Sequence, residues 1–158
     1  MGQPSRRANR EVMAHPPKIQ TILDDLAFFP DRADRIQALI ALADGFTPVA
    51  TSVAARPFDE AHRVPGCESE AFVWVKVDSD GRLHSHFAVE NPQGISAMAL
   101  AVVLQRGLDG EPASTAAALD DDLIYDLFGR ELSMGKSMGL MGMVRMTRYL
   151  ARQVAATP

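Results

Sequence analysis

The first third of the chain has hydrophobic residues at helical spacing, interrupted once. In residues 18–29 apolar positions recur every three or four residues, which predicts an amphipathic helix. Pro30 ends this pattern, and Asp31 is placed to cap a second helix that Gly45 ends. Two helices are therefore expected before residue 46.

After residue 45 the helical spacing of hydrophobic residues ends, and apolar and polar residues later alternate. Residues 46–61 show no period and predict a long surface loop. Residues 72–77 and 82–89 alternate on either side of the turn sequence Asp-Ser-Asp-Gly, which predicts an antiparallel hairpin. The short stretch 62–64 is predicted to add a third strand.

The last third returns to helical patterns. Residues 95–108 are apolar almost all round, as in a central, buried helix. Shorter helices are predicted near 112–118 and at 120–128, and a long one from about Lys136 to the end. Helices, a small antiparallel three-stranded sheet and more helices together predict an α+β fold.

The length of 158 residues predicts one domain, assigned to residues 17–158. Residues 1–16 are interpreted as a disordered N-terminal extension. The first fourteen are polar and Arg-rich and lack the apolar segment of a signal peptide. No apolar run approaches the roughly 20 residues that span a bilayer. A cytoplasmic protein without a membrane partner is expected.

Charge narrows the choice of partners. Sixteen basic and twenty acidic residues give a net charge of −4, and no basic stripe is present to bind a phosphate backbone. Nucleic acid is therefore not an expected partner.

The candidate chemistry centres on Cys67, the single cysteine of the sequence. It follows Pro65 and Gly66, and Glu68 and Glu70 come directly after it, so it is expected in a loop at the mouth of the sheet. One cysteine forms no internal disulfide, and the thiol is available for chemistry in a reducing compartment. An inert, packed thiol is the alternative.

Side chains close in sequence bear on that thiol. A nucleophilic thiol must ionise, and nearby cations favour the thiolate. His62 and Arg63 would help, whereas the two glutamates would oppose ionisation.

The histidines raise the question of a metal site. His84 and His86 share one face of a predicted strand, a spacing that would allow a metal with His62 or Cys67. Exposed polar strand residues are the simpler explanation of the pair, and no metal is predicted. His15 is placed in the N-terminal extension.

The stretch Ser-Met-Gly-Lys-Ser-Met-Gly (133–139) contains the end of a phosphate-loop pattern. That pattern requires glycine at position 130, which is Arg, so nucleotide binding is rejected. Ser133 or Ser137 is predicted to cap a helix instead. Five methionines cluster here, Met138 among them, either as core filler or as an adaptable docking surface.

The motif Val-Pro-Gly-Cys-Glu-Ser-Glu-Ala-Phe (64–72) resembles the V-x-G-C-x-S-x-V-W signature of the SufE family. The likeness extends over roughly residues 18–155. The opening helices, the central helix and residues 132–144 are similar to the corresponding family segments. Departures are Lys136 at a usual Arg, Met134 at a helix-start Pro, His62 at a common Asn, Phe72 at the Trp, and Asn91-Pro92 at a Ser-Asp pair.

The resemblance implies a sulfur carrier in iron–sulfur cluster assembly. Cys67 would accept persulfide sulfur from a SufS-like cysteine desulfurase, stimulate that enzyme, and pass the sulfur to a SufBCD-like scaffold. No cofactor of its own is implied, because the desulfurase brings pyridoxal phosphate. The sequence leaves open whether the protein is a homodimer.

The resemblance also implies roles for residues around the cysteine. Gly66 and Ser69 would shape the loop, and Val64, Phe72 and Met138 would line a partly apolar pocket around the sulfur. Lys136 would approach the thiolate or contact the desulfurase. Two other classes stay open: a cysteine-dependent thiol enzyme with Arg63 as its nearest assisting group, and an interaction module with an inert Cys67.

Overall fold

The computed structural model describes residues 15–156 and confirms a mixed α+β architecture. A short 3-10 helix, Glu60–His62, precedes the strands β1, Ala71–Val77, and β2, Leu83–Val89. The helices are α1 Pro17–Leu26, α2 Arg32–Asp44, α3 Ile95–Leu108, α4 Ala113–Ala117, α5 Leu123–Phe128 and α6 Met134–Ala156. Among residues 15–156, none of the helices combines the length and the hydrophobicity that a transmembrane segment requires.

The helix boundaries follow local chemistry. The Asp31 carboxylate accepts the Ala33 N–H at 2.8 Å, which starts α2 as predicted. The Ser133 hydroxyl accepts the Lys136 N–H at 3.2 Å, so α6 begins at Met134, two residues before the predicted start. His15 and Pro16, assigned to the extension, belong to the described residues: His15 is buried and contacts Asp126. The other fourteen residues of that extension lie outside the described part.

The prediction of a third strand was wrong: within residues 15–156 the sheet has two strands. Arg63 forms an isolated bridge with Phe72, and the Val64 N–H donates to the Ala71 carbonyl at 2.8 Å. The preceding 3-10 turn carries the chain away after this one pair. The next carbonyl of the β1 edge, that of Val73, accepts instead from the His62 ring at 2.8 Å. A side chain thus replaces the missing strand.

Both faces of the hairpin are covered. The inner face packs against α3 and α6 and supplies Val73, Leu83 and Phe87 to the main core. The outer face carries a second cluster, in which Phe72 and Trp74 meet Phe58 of the long loop at ring distances of 5.1 Å. The loop between α2 and the 3-10 helix, predicted as a surface crossing, therefore lies over the sheet.

Helix α3 is the centre of the main core. It is buried on nearly every side, and α1, α2 and β2 all pack against it. At Gly107 a Cβ atom would lie 2.2 Å from Cγ1 of Ile19, so the lack of a side chain allows α1 to approach this closely. The apolar pattern of residues 95–108 predicted this helix with its correct limits.

A charged cross-link ties the hairpin turn to the end of α3. The two ring nitrogens of His84 lie 2.9 Å from the Asp78 carboxylate and 2.8 Å from that of Asp109. Because carboxylates only accept hydrogen bonds, this geometry suits a protonated imidazole with two N–H donors. The hydrogen bonds to Asp78 and then Asp109 raise the pKa of His84 above its ordinary 6.5.

We expect this cross-link to make stability depend on pH. A raised folded-state pKa contributes stability that is complete below about pH 6.5 and is lost as pH rises through the folded pKa. The melting temperature of the wild type should exceed that of His84→Gln at about pH 5.5, and the difference should shrink toward about pH 9. Thermal unfolding across this range measures it.

His86→Gln is the matched control on the same strand. Burial is the largest cause that lowers the pKa of His86, so protonation on acidification destabilises the folded wild type. The His86→Gln difference should therefore change with pH in the opposite direction. The same slope for both variants would contradict the assignment.

Candidate functional site

Cys67 lies in a loop of residues 65–70, here called the Cys67 loop, that leads into β1. The backbone bond from Val64 to Ala71 closes its base, and the Cys67 carbonyl accepts the Glu70 N–H at 3.1 Å. Gly66 has φ 68° and Glu70 has φ 54°. The left-handed conformation costs a glutamate roughly 1 kcal/mol or more, so surrounding contacts must hold it.

Those contacts come from the segment that follows β2. The N–H groups of Glu90 and Asn91 donate to the carbonyls of Glu70 and Ser69, both at 3.1 Å. The Asn91 side-chain amide reaches the Glu68 carbonyl at 3.4 Å. Three successive carbonyls of the Cys67 loop are therefore bound to two residues, which restrains the backbone that follows Cys67.

Two glycines of α6 let that helix reach the loop. A Cβ atom at Gly139 would lie 3.3 Å from the Cys67 Cα and 3.4 Å from its Sγ. At Gly142 it would lie 2.9 Å from Val64 and 3.2 Å from the Pro65 carbonyl. The helix therefore forms one wall of the site and touches the sulfur-bearing residue through bare backbone.

The thiol opens onto a groove of about 430 Å³. Cys67 itself is half-buried and packs against the main core. The groove is bounded by the loop, by residues 91–97 at the start of α3, and by the first turns of α6. Exposed Lys136 lies on its wall, together with Glu68 of the loop.

The structure separates His62 and Arg63 from this groove. His62 bonds to Val73 and stacks on Trp74 at 5.2 Å, on the outer face of the sheet. Arg63 pairs with Glu60 at 2.7 Å and lies 4.7 Å from the centre of the Phe72 ring. Both side chains are committed elsewhere, so the expected assistance to thiolate formation is not seen.

The three residues predicted to line an apolar pocket around the sulfur lie elsewhere in the structure. Val64 is buried in the main core, Phe72 belongs to the outer cluster, and Met138 is 61% exposed. None of the three lines the groove, which is bounded instead by polar loop atoms and small residues, together with Ile95, Lys136 and Leu140. Phe72 misses it because a strand sends successive side chains to opposite faces. Met138 points outward because neighbouring Gly139 faces the loop.

Ser69 shapes the loop through its backbone. Its carbonyl accepts from Asn91, and its side chain packs against Gly94, where a Cβ atom would lie 2.9 Å from the Ser69 Cβ. Sequence reasoning missed Asn91, Gly94 and Gly139. The recurrence of glycine at 135, 139 and 142 was a usable signal, since this spacing keeps small residues close to one helix face.

The described residues hold no group of three or more histidine, cysteine or acidic side chains that could bind a metal. His84 is bound to two carboxylates, as described above. His86 lies on the outer sheet face, opposite Trp74. The two-histidine pattern on β2 is therefore explained by a hairpin cross-link and by sheet packing.

Fold and site together define a small α+β protein that presents one thiol from a tethered loop beside a helix. Residues 20–151 match the family described as "SufE: Fe-S metabolism associated domain", and the chain therefore belongs to the SufE family. Its role accordingly lies in iron–sulfur metabolism.

A solved structure supports the fold. The solution structure of a hypothetical protein from Thermus thermophilus is similar over 90% of this chain and 99% of that chain, with a TM-score of 0.72 and 22% identity. At 22% identity, this similarity supports the fold and carries no statement about function. No curated protein matches the chain.

The close approach at Gly139 leads to a test of the site. Gly139→Val puts a branched side chain against Cys67, which should lower the free energy of unfolding by about 1–3 kcal/mol. It should also push the Cys67 loop outward and speed alkylation of the thiol by iodoacetamide. Chemical denaturation and alkylation rates measure the two effects.

Ala155→Val is the matched control, since Ala155 is exposed near the end of α6 and does not line the groove. It should leave the alkylation rate close to that of the wild type. Equal stability and equal thiol reactivity in the two variants would show that α6 does not hold the loop.

Proposed function

We propose that this protein accepts sulfur on Cys67 from the persulfide of a cysteine desulfurase and passes it to an iron–sulfur cluster scaffold. The observation that carries the proposal is the half-buried thiol at the wall of an open groove, held there by a tethered loop. Membership in the SufE family supports the same role.

The transfer is an exchange between sulfur atoms. The Cys67 thiolate attacks the outer sulfur of the donor persulfide, and the bond from that sulfur to the donor cysteine breaks. The donor leaves as a thiolate, and Cys67 carries the persulfide. The step involves no net oxidation, so no electron carrier is needed. With a single cysteine in the sequence, no internal thiol can displace the bound sulfur.

The groove suits a negatively charged sulfur. Lys136 supplies a positive charge on the wall, and the first turn of the 23-residue helix α6 lies beside it. The N-terminal end of a helix carries partial positive charge that stabilises a nearby anion. Glu68, on the same groove, opposes this effect, so the local field is mixed.

The partial burial of Cys67 has a second use in this scheme. A persulfide is easily lost to small thiols and oxidants, and access governs the rate of such reactions. The helix wall at Gly139 and the restrained loop limit approach to one side of the sulfur. The open side leaves a route for the donor.

The proposed partners are a SufS-like cysteine desulfurase and a SufBCD-like scaffold complex in the cytoplasm. In this arrangement the desulfurase supplies the pyridoxal phosphate and the carbon–sulfur bond cleavage. The carrier stimulates turnover by removing the persulfide sulfur.

A thiol enzyme finds less support in this site. Such an enzyme needs a base near the nucleophile, and no histidine lines the groove within residues 15–156. Arg63, the nearest assisting group along the chain, is paired with Glu60 on the other side of the sheet.

The decisive experiment mixes the protein with the cysteine desulfurase of its own organism and free cysteine, followed by intact-mass measurement. The wild type should gain the mass of one sulfur atom, and treatment with a reductant should remove it. Cys67→Ser should gain none, because serine cannot form a persulfide.

Binding of Cys67→Ser to the desulfurase serves as the control for folding. If the desulfurase is active and binds, yet the wild type gains no sulfur, the carrier function is wrong and an interaction module remains. Stimulation by Cys67→Ser equal to that by the wild type would point to the same conclusion.

A further inference from the structure

A second cavity, of about 470 Å³, lies between α2, the start of α3 and the junction of α5 with α6. Its walls are mainly apolar side chains, from Ile36, Leu39 and Ile40 of α2 to Phe128 and Leu132 at the junction. Ile36 is 44% exposed and Ile95, at the start of α3, is 46% exposed. Exposed aliphatic residues around a concave apolar site are typical of a docking surface.

This cavity continues the Cys67 groove. Ile95, Ser96, Ser133 and Lys136 line both spaces. The thiol therefore lies at one end of a continuous trough, Lys136 lines the middle, and the apolar cavity forms the other end. A segment that brings sulfur to Cys67 can extend into the apolar end without leaving the surface.

The charged residues that line the cavity, here called its rim, indicate which charge a bound segment would need. Arg32, Arg35 and Lys136 are basic and Glu131 is acidic. Arg32 pairs with Glu131, and Arg35 donates to backbone carbonyls at the end of α5. Among the described residues no carboxylate pairs with the side chain of Lys136. An acidic group on the occupant would complete the site there.

We propose that the trough beyond Cys67 is the docking site for a segment of the sulfur donor that places an apolar side chain in the cavity and an acidic one beside Lys136. This inference rests on the proposed function and extends it. Two observations select a partner's segment: the continuity of the cavity with the thiol groove, and the positive rim. The chain's own first fourteen residues include Arg6, Arg7 and Arg10, so their charge matches the rim instead of complementing it.

The test is Ile36→Glu, which puts a negative charge and a polar group at the mouth of the cavity. The concentration of this protein that half-saturates desulfurase stimulation should rise by about tenfold, with little change at saturation. Lys136→Glu should raise it as well. For the wild type the half-saturating concentration should increase with added salt, because a screened charge pair contributes less.

Val77→Glu is the matched control, since Val77 is 40% exposed and lines neither cavity. Its half-saturating concentration should stay within about twofold of the wild-type value. Melting temperature and the rate of Cys67 alkylation by iodoacetamide check that Ile36→Glu keeps its fold and its thiol.

The outcomes separate the two proposals. If Cys67 gains sulfur but Ile36→Glu and Val77→Glu half-saturate alike, the docking site is wrong and the carrier function stands. If the wild type gains no sulfur from an active desulfurase, the carrier function fails and the docking site with it. If sedimentation shows that Ile36→Glu instead dissociates a homodimer and stimulates normally, the cavity joins two copies, which also overturns the proposal.

Discussion

A two-stranded hairpin carries this site, and an isolated hairpin is marginally stable at best in water. The rest of the described chain is arranged to cover it. Helices α3 and α6 bury its inner face, and the loop between α2 and the 3-10 helix buries its outer face through Phe58. The free edges are also occupied: Val49 donates to Phe87 at 2.8 Å on one side, and His62 bonds to Val73 on the other. Unpaired strand edges would otherwise invite pairing with another chain.

The position of the Cys67 loop depends on the same elements that cover the hairpin. It leaves the β1 edge, which is fixed by the bond from Val64 to Ala71, and it meets α6 where the helix has no side chains to hold it off. The helix that buries the sheet is therefore also the wall of the thiol groove. Stability and access to sulfur are coupled through the contacts of Gly139 with Cys67 and of Gly142 with Val64 and Pro65. A change that loosens the packing of α6 on β1 must also change the environment of the sulfur.

Much of the fold could be predicted from the sequence, and the failures have definite causes. Residues 95–108 were predicted with their correct limits because a helix that is apolar all round has few alternatives, and Asp31 marked the start of α2. The third strand failed because one backbone pair and the His62 ring replace a ladder, which no periodicity reveals. The loop position of Cys67 was predictable from Pro65 and Gly66. The groove walls were not, because both sheet faces are buried and alternation in β1 does not tell which one meets the thiol.

The residue that best connects sequence to site is Asn91, which with Pro92 is one of the departures noted in the sequence. Its carboxamide oxygen accepts the Gln93 N–H at 3.0 Å, and its carbonyl accepts the Gly94 N–H at 2.9 Å. These bonds form a tight turn just before α3, with the amide group directed to the Cys67 loop. Proline after asparagine favours such a turn. It also has no backbone N–H group, so no hydrogen-bond acceptor is needed at that position. Asn91 therefore tethers the Cys67 loop in this chain through both its backbone and its side chain.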